Sequence, residues 1–485
     1  MLNPSAESQR QNTRLVPQET TISFRAGERC VGRRIQSNIL WAGTGRLLSV
    51  ALLLALHAGL ARFLSAADYG RYILLESVTL VLSLVIMAGL PSVSLRLLRT
   101  QLMSGNGAGA ADIVRVSLGI MVGTSVLTTL AVSAFAFLAG DRALSGNLWT
   151  WLPWILGWTT FIAWLRMVSE LARGYEMLGF SYLVGGQSGG FGVNGILLFA
   201  VVATGVLNGL SLRGMLTVQI VVQCLCAVAA LIMIFRVASQ NSLSAFAAVA
   251  GKPRVRPILQ SSFPLLIQHL VAFGLPEADT MMLGAYSTGE DVALYGSAKK
   301  LVFLAGLPLL LVSHAIKPFI TEFHARSDAD RLTTLVRGTT TFAAIPSILV
   351  VLALLIAPDF ILQICFGDAF GSAATSLRVL CVGAIAFILT GTCSLVLTMT
   401  GHERTGMWLS LTVGVVYLLV TPLLISGFGI NGAAIAAAGL QCSANLGSML
   451  LVYHHERVWT GITLSGNMVV ACFRIIFPSK AGKES

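Results

Sequence analysis

Twelve apolar stretches, each about 20 residues long and set off by polar turns, dominate this chain. They run near 38–60, 72–90, 114–139, 148–168, 182–204, 215–236, 261–284, 292–317, 334–357, 374–397, 407–427 and 431–453. A helix rises 1.5 Å per residue, so each is long enough to cross a hydrocarbon core of roughly 30 Å. Backbone polar groups in lipid must be satisfied within the protein, which favours helices. The expected class is therefore an all-α polytopic membrane protein with twelve transmembrane helices. Only 11% of the residues are charged, against roughly 25% in soluble domains. The stretch 462–477 is apolar but short and interrupted by Asn467 and Arg474. It reads as an interfacial helix.

A second regularity divides the chain in two. Arg46 and His269, Asp68 and Asp291, and Tyr72 and Tyr295 each stand 223 residues apart, while Gly205 and Gly427, and Gln219 and Gln441, stand 222 apart. An offset near half the length marks an internal repeat, and an apolar repeat of this kind points to a transporter with its site between the halves. Six helices per half is an even number, so the halves share one orientation about an axis along the membrane normal. The expected organisation is a disordered basic tail over 1–36, a six-helix lobe over 37–236, a linker over 237–260, a second lobe over 261–455 and a tail over 456–485.

Charge fixes the expected orientation. With the N-terminus in the cytoplasm, 24 of the 32 Lys and Arg fall on tails, inner loops and inner helix ends. Five fall outside, and Arg46, Lys299 and Lys300 lie within spans. Such a bias places both termini on the cytoplasmic side of the membrane. The first 36 residues hold no apolar core of the signal-peptide kind. The net charge of +11 is spread between apolar blocks and forms no patch for nucleic acid. The eight cysteines suggest neither a disulfide framework nor a metal site.

Charged groups inside spans are costly, about 2.5–3.5 kcal/mol for Arg at a helix centre, and so are the candidates for function. Arg46 lies roughly 12 Å along the first helix, beside Gly43 and Gly45, which would permit close approach. His269 is its repeat equivalent and could titrate near neutrality. Glu277 and Asp279 follow Pro276, which should kink the seventh helix and act as a hinge. Lys299, the repeat equivalent of Glu76, and Lys300 open the next helix. An Asp279–Lys299 ion pair is plausible, and acidic groups beside a kink could instead bind Na⁺ or H⁺. Glu76, Glu277 and Asp279 are thus the ion-coupling candidates. Arg166 sits at a span end, either as an anchor or as part of a cavity. His57 and several other polar residues within spans read as helix–helix hydrogen-bonding groups. No phosphate-binding lysine loop is present; the glycine-rich SGNGAGAAD (104–112) reads as an inner loop. No cofactor is implied, and no extramembrane region is large enough for an enzyme's catalytic domain.

Four segments carry a family resemblance: FLSAADYGRYILLESVTLVLSLVIMAGLPSVSLRLL (63–98), EADTMMLGAYSTGEDVALYGSAKKL (277–301), FGDAF (366–370) and LLISGFGINGAAIAAA (423–438). Over 38–455 the chain resembles bacterial polysaccharide transporters. These are the oligosaccharide-lipid flippases of the superfamily that also holds MATE drug exporters and the lipid II flippase. The resemblance implies a V-shaped pair of six-helix lobes around a central cavity. It implies a lipid-linked oligosaccharide, on undecaprenyl diphosphate, moved from the inner to the outer leaflet for exopolysaccharide, capsule or O-antigen synthesis. Partners would be membrane lipids and the polymerase and chain-length proteins of such a pathway. Basic cavity residues would receive the diphosphate; Arg46 and Lys299 or Lys300 match that role, and Arg166 and His269 are further candidates. His269 departs from the family in being neither Arg nor Lys. Alternatives are an ion-coupled drug or metabolite antiporter of the same fold and a lipid II flippase.

Overall fold

The computed structural model describes residues 43–139, 148–185, 190–208, 211–240, 255–326, 328–463 and 472. The expected tail 1–36 and most of 237–260, 462–477 and 456–485 lie outside those residues. Among the described residues the ordered elements are helices, with no strand. The first half holds α1 (Gly43–Phe63), α2 (Ala66–Met87), α3 (Leu90–Met103), α4 (Gly107–Ala139), α5 (Leu148–Gly174), α6 (Leu178–Val184), α7 (Phe191–Asn208) and α8 (Leu212–Gln240). The second holds α9 (Val255–His269), a π-helical turn (Leu270–Gly274), α10 (Leu275–Tyr286), α11 (Gly289–Ala325), α12 (Ala329–Ile356), α13 (Pro358–Phe366), α14 (Ala374–Thr390), α15 (Cys393–Met399) and α16 (Glu403–Glu456).

Nine helices among the described residues are long and apolar enough to cross a bilayer, where the sequence suggests twelve. The difference has physical causes. α16 holds two passes: Gly429 is non-helical at φ 58°, ψ −131°, and a Cβ on Gly447 would lie 2.8 Å from Leu409 Cδ1. Residues 38 apart touch there because the chain reverses. α5 is diluted by its tryptophans and a charged C-terminal third, and α7 is shortened by the break after α6.

Four local expectations are corrected. The second span begins six residues earlier than 72. Its supposed inner loop continues as α3, started by Gly89 at φ 74° with Pro91 in its first turn, where a missing N–H costs nothing. Most of SGNGAGAAD is helical, because α4 begins at Gly107. The tenth span is broken at Gly391 (φ 73°), where a Cβ would meet Thr340 Oγ1 at 2.5 Å. The carbonyls beside that break are satisfied from far along the chain. Thr460 Oγ1 donates to Thr390 O at 2.8 Å, and Ile462 N donates to Leu389 O at 3.3 Å.

The halves meet along α2 and α11, and the repeat explains how. Ser65 caps α2 by accepting from Asp68 N, and Thr288 caps α11 in a reciprocal box with Asp291. The repeated Asp68/Asp291 pair is thus a pair of equivalent helix starts. Just past them the two backbones come together: a Cβ on Gly70 would sit 1.7 Å from Gly289 O. Ile73 packs on Gly296, its own repeat equivalent. Small residues allow this approach where larger ones would not. Tyr69 stacks toward Phe366 and Phe370 at ring distances of 6.5 and 5.9 Å, and Arg62 donates to the Ile364 carbonyl. These contacts seal the end of the bundle at which α2 and α11 begin. Gly70→Val is expected to force the helices apart. Amide exchange over 289–296 should then quicken by about tenfold or more, a loss of about 1.4 kcal/mol of local protection; unchanged exchange would contradict this packing.

Candidate functional site

One to two helical turns below that seal lies a polar network built from both halves, with His57 and Asp279 buried and Glu76, Glu277, Lys299 and Lys300 part-buried. Glu76 on α2 accepts from Lys300 Nζ on α11 at both oxygens, 3.0 and 2.9 Å. His57 on α1 points Nε2 at Glu76 Oε1 from 3.4 Å, and its Nδ1 is 3.3 Å from Tyr69 Oη. Lys299 turns to the other side. It donates to Asp279 Oδ1 at 2.9 Å, to Thr280 Oγ1 at 3.2 Å and to the Pro276 carbonyl, and lies 3.6 Å from Glu277 Oε2. Tyr295 donates to Asp279 Oδ2 at 2.6 Å, and Ser77 donates to Glu277 Oε2 at 2.7 Å.

The arrangement follows the repeat with the charges exchanged. Glu76 and Lys299, Ser77 and Lys300, and His57 and Thr280 each stand 223 residues apart. In the first half an acid on α2 faces a base on α1. In the second a base on α11 faces acids on α10. Ser77 and Lys300, equivalent positions, each reach across the seam to a carboxylate of the other half. Buried ions are costly alone and tolerable when paired and hydrogen-bonded, which is why the network is so fully connected. Three carboxylates face two lysines, so the site carries no positive surplus while His57 is neutral.

The sequence reading offers Lys299 or Lys300 as a cavity cation. The structure commits both to carboxylates, on opposite sides of the seam. The expected Asp279–Lys299 pair is present. Pro276 stands in the first turn of α10, directly after the π-helical turn Leu270–Gly274. The irregularity of the seventh span is therefore a widened turn, which removes the clash that a proline ring would make in a regular helix. His269 ends α9, half-buried, with its ring 5.8 Å from Phe273, and makes no contact with this network.

Arg46 lies toward the opposite end. It stands 18 residues before Leu64 at the α1–α2 turn, about 27 Å along the helix, against about 10 Å for His57. Gly45 does permit close approach: a Cβ there would sit 3.0 Å from Tyr182 Cβ. A Cβ on Gly43 would meet nothing within 4 Å among the described residues. Arg46 is within electrostatic range of Arg173 on α5 and Lys317 on α11. Arg173 is itself held by Glu170 at 2.7 Å and Ser181 at 3.0 Å, and stacks over Tyr182 at 5.2 Å. Arg166 lies two turns earlier on the same face of α5 and donates to Ser83 on α2 at 3.2 Å. The molecule thus separates a basic group toward one end from a charge-paired network toward the other.

Ser77 and Tyr295 are members of the network that sequence reasoning missed, and His57, read as a helix–helix hydrogen-bonding group, was not tied to Glu76. A signal existed. Equivalent positions of a two-fold repeat meet near the axis, and the pairs 76/299 and 77/300 set an acid and a hydroxyl in one half against two lysines in the other.

The molecule is a multi-pass helical membrane protein with the fold of the MATE transporters. Residues 264–423 match the MatE family model. No curated protein matches the chain. A multidrug resistance MATE family transporter in an inward-facing conformation superposes with a TM-score of 0.67 at 13% identity, over 84% of this chain and 94% of that one. A MATE transporter in an outward-facing conformation superposes at 0.56 and 14% identity, over 87% and 95%. The lipid II flippase MurJ in an inward closed conformation gives 0.60 at 12% identity, over 90% and 91%.

Proposed function

We propose that the protein is a flippase that carries an undecaprenyl-diphosphate-linked oligosaccharide from the inner to the outer leaflet by alternating access. The observation that carries this reading is the basic group of Arg46, Arg173 and Lys317, drawn from both lobes and lying away from the sealed end. A diphosphate brings about two negative charges into a region where unpaired anions are costly. Arg suits it because its planar fork donates two hydrogen bonds at once. With both termini in the cytoplasm of a bacterial inner membrane, the sealed end faces outward and the basic group faces the side on which the cargo is made. Moving an anion out of a negative interior is favourable by about 2.3 kcal/mol per charge per 100 mV. The similarity to transport proteins supports a carrier rather than an enzyme, and a polymerase or chain-length protein would act on the delivered cargo. Polyprenyl diphosphate added to the purified protein should raise its unfolding temperature, more than polyprenyl phosphate does and less in Lys317→Ala. Equal effects of the two lipids would count against diphosphate recognition.

A second reading has its own observation. Lys299 and Lys300 are neutralised by Glu76, Glu277 and Asp279, so the mid-membrane site is acidic on balance. That composition suits organic-cation antiport, and stabilisation by hydrophobic cations rather than diphosphates would favour it.

A further inference from the structure

Glu76 has two bases within reach, and they belong to different lobes. Lys300 comes from the second lobe and occupies both carboxylate oxygens. His57 comes from the first, on the helix next to Glu76 and in the same half of the chain. We propose that Glu76 exchanges counter-ions during transport: Lys300 holds it while this end is closed, a proton on His57 holds it while the end is open, and each closure expels one proton.

The closed geometry shows why the two states exclude each other. His57 is 0% exposed. It is faced by Tyr69, Tyr72 and Glu76 from α2 and by the charge of Lys300 from α11. Trp158 of α5 backs Tyr72 at 5.3 Å. Glu76 and Lys300 already neutralise each other there, so an imidazolium would be a buried cation without a counter-charge. When α11 leaves α2, Lys300 goes with it, and Glu76 is left with His57 as the base beside it. A carboxylate at that distance favours the protonated ring. The proton balance is simple. In the neutral ring Tyr69 O–H donates to Nδ1 and Nε2–H faces Glu76. On opening, a proton from water adds to Nδ1, and Tyr69 turns to accept. On closing, that N–H bond breaks and the proton returns to water. The second lobe cannot do the same, because Thr280 stands where the first lobe has His57, and the Lys299–Asp279 pair lies within one lobe.

Proton binding and closure are then reciprocally linked. One proton gives at most about a tenfold change in the open-to-closed ratio per pH unit, with acid favouring the open form. The proposal rests on alternating access but not on the nature of the cargo.

The test is amide hydrogen exchange on the full-length protein in lipid nanodiscs, near pH 5.5 and pH 7.5, corrected for intrinsic rates. In the wild type, protection over 66–73 and 289–296 should fall at the lower pH, by up to about tenfold per unit. His57→Gln should hold the same protection at both values. Lys300→Met should be poorly protected at both, with exchange over 374–390 unchanged as a check that the second lobe is folded. A flat wild-type profile, or a His57→Gln profile like the wild type's, would overturn the proposal. Should Lys300→Met fail the folding check, those two profiles decide the matter. No cargo is present in this measurement, so loss of the oligosaccharide reading would leave its outcome intact, and the reverse.

Discussion

Under the flippase reading proposed above, Arg46→Ala is expected to lower delivery of the lipid-linked oligosaccharide by about two orders of magnitude while the protein inserts and folds normally. Truncating one partner of a desolvated charge contact typically costs 2–5 kcal/mol, and about 2.8 kcal/mol is a hundredfold. Arg46 stands 11 residues before His57 on α1, about 16 Å along the helix from the sealed network, so its loss should spare the seam between α2 and α11. Arg46→Lys should retain part of the activity, because an ammonium keeps the charge but loses the fork. Surface polymer measured against membrane protein level checks both variants. Normal polymer in Arg46→Ala would remove this residue from the mechanism.

Asp279→Ala should act in the opposite manner, through stability. Asp279 is 1% exposed and accepts from Lys299, Tyr295 and Thr280. Removing it leaves the Lys299 ammonium and the Tyr295 hydroxyl without their shared acceptor. Breaking a buried pair in this way costs about 3–5 kcal/mol. Adding Lys299→Met should restore part of the loss, since it removes a cation left with Glu277 at 3.6 Å as its remaining carboxylate. Thermal unfolding of the three variants in detergent checks this. A double variant no more stable than Asp279→Ala would show that the pair is not what holds α10 to α11.

The sequence reading succeeded where local composition decides the outcome. The apolar stretches became helices, and Asp279–Lys299, twenty residues apart on adjoining helices, could be foreseen as a pair. It failed where the decisive partner is remote. Nothing near Gly391 announces that α14 stops there, because Thr460 and Ile462 supply the donors that make the break tolerable. Lys300 could be assigned to Glu76 only by taking the repeat as a spatial symmetry. The offset of 223 was read as an equivalence of positions, not as a rule for which positions meet. Likewise α3 resembled a loop because its polar residues and Pro91 hide a helix whose support comes from packing on α4 and α5.

The central claim concerns cargo and direction, and one measurement addresses both: the leaflet in which undecaprenyl-linked oligosaccharide resides after the gene is deleted. The account predicts accumulation in the cytoplasmic leaflet with loss of surface polymer, reversed by the wild-type protein and not by Arg46→Ala. Normal outer-leaflet oligosaccharide in the deletion strain would contradict it and move attention to cation antiport through Glu277 and Asp279.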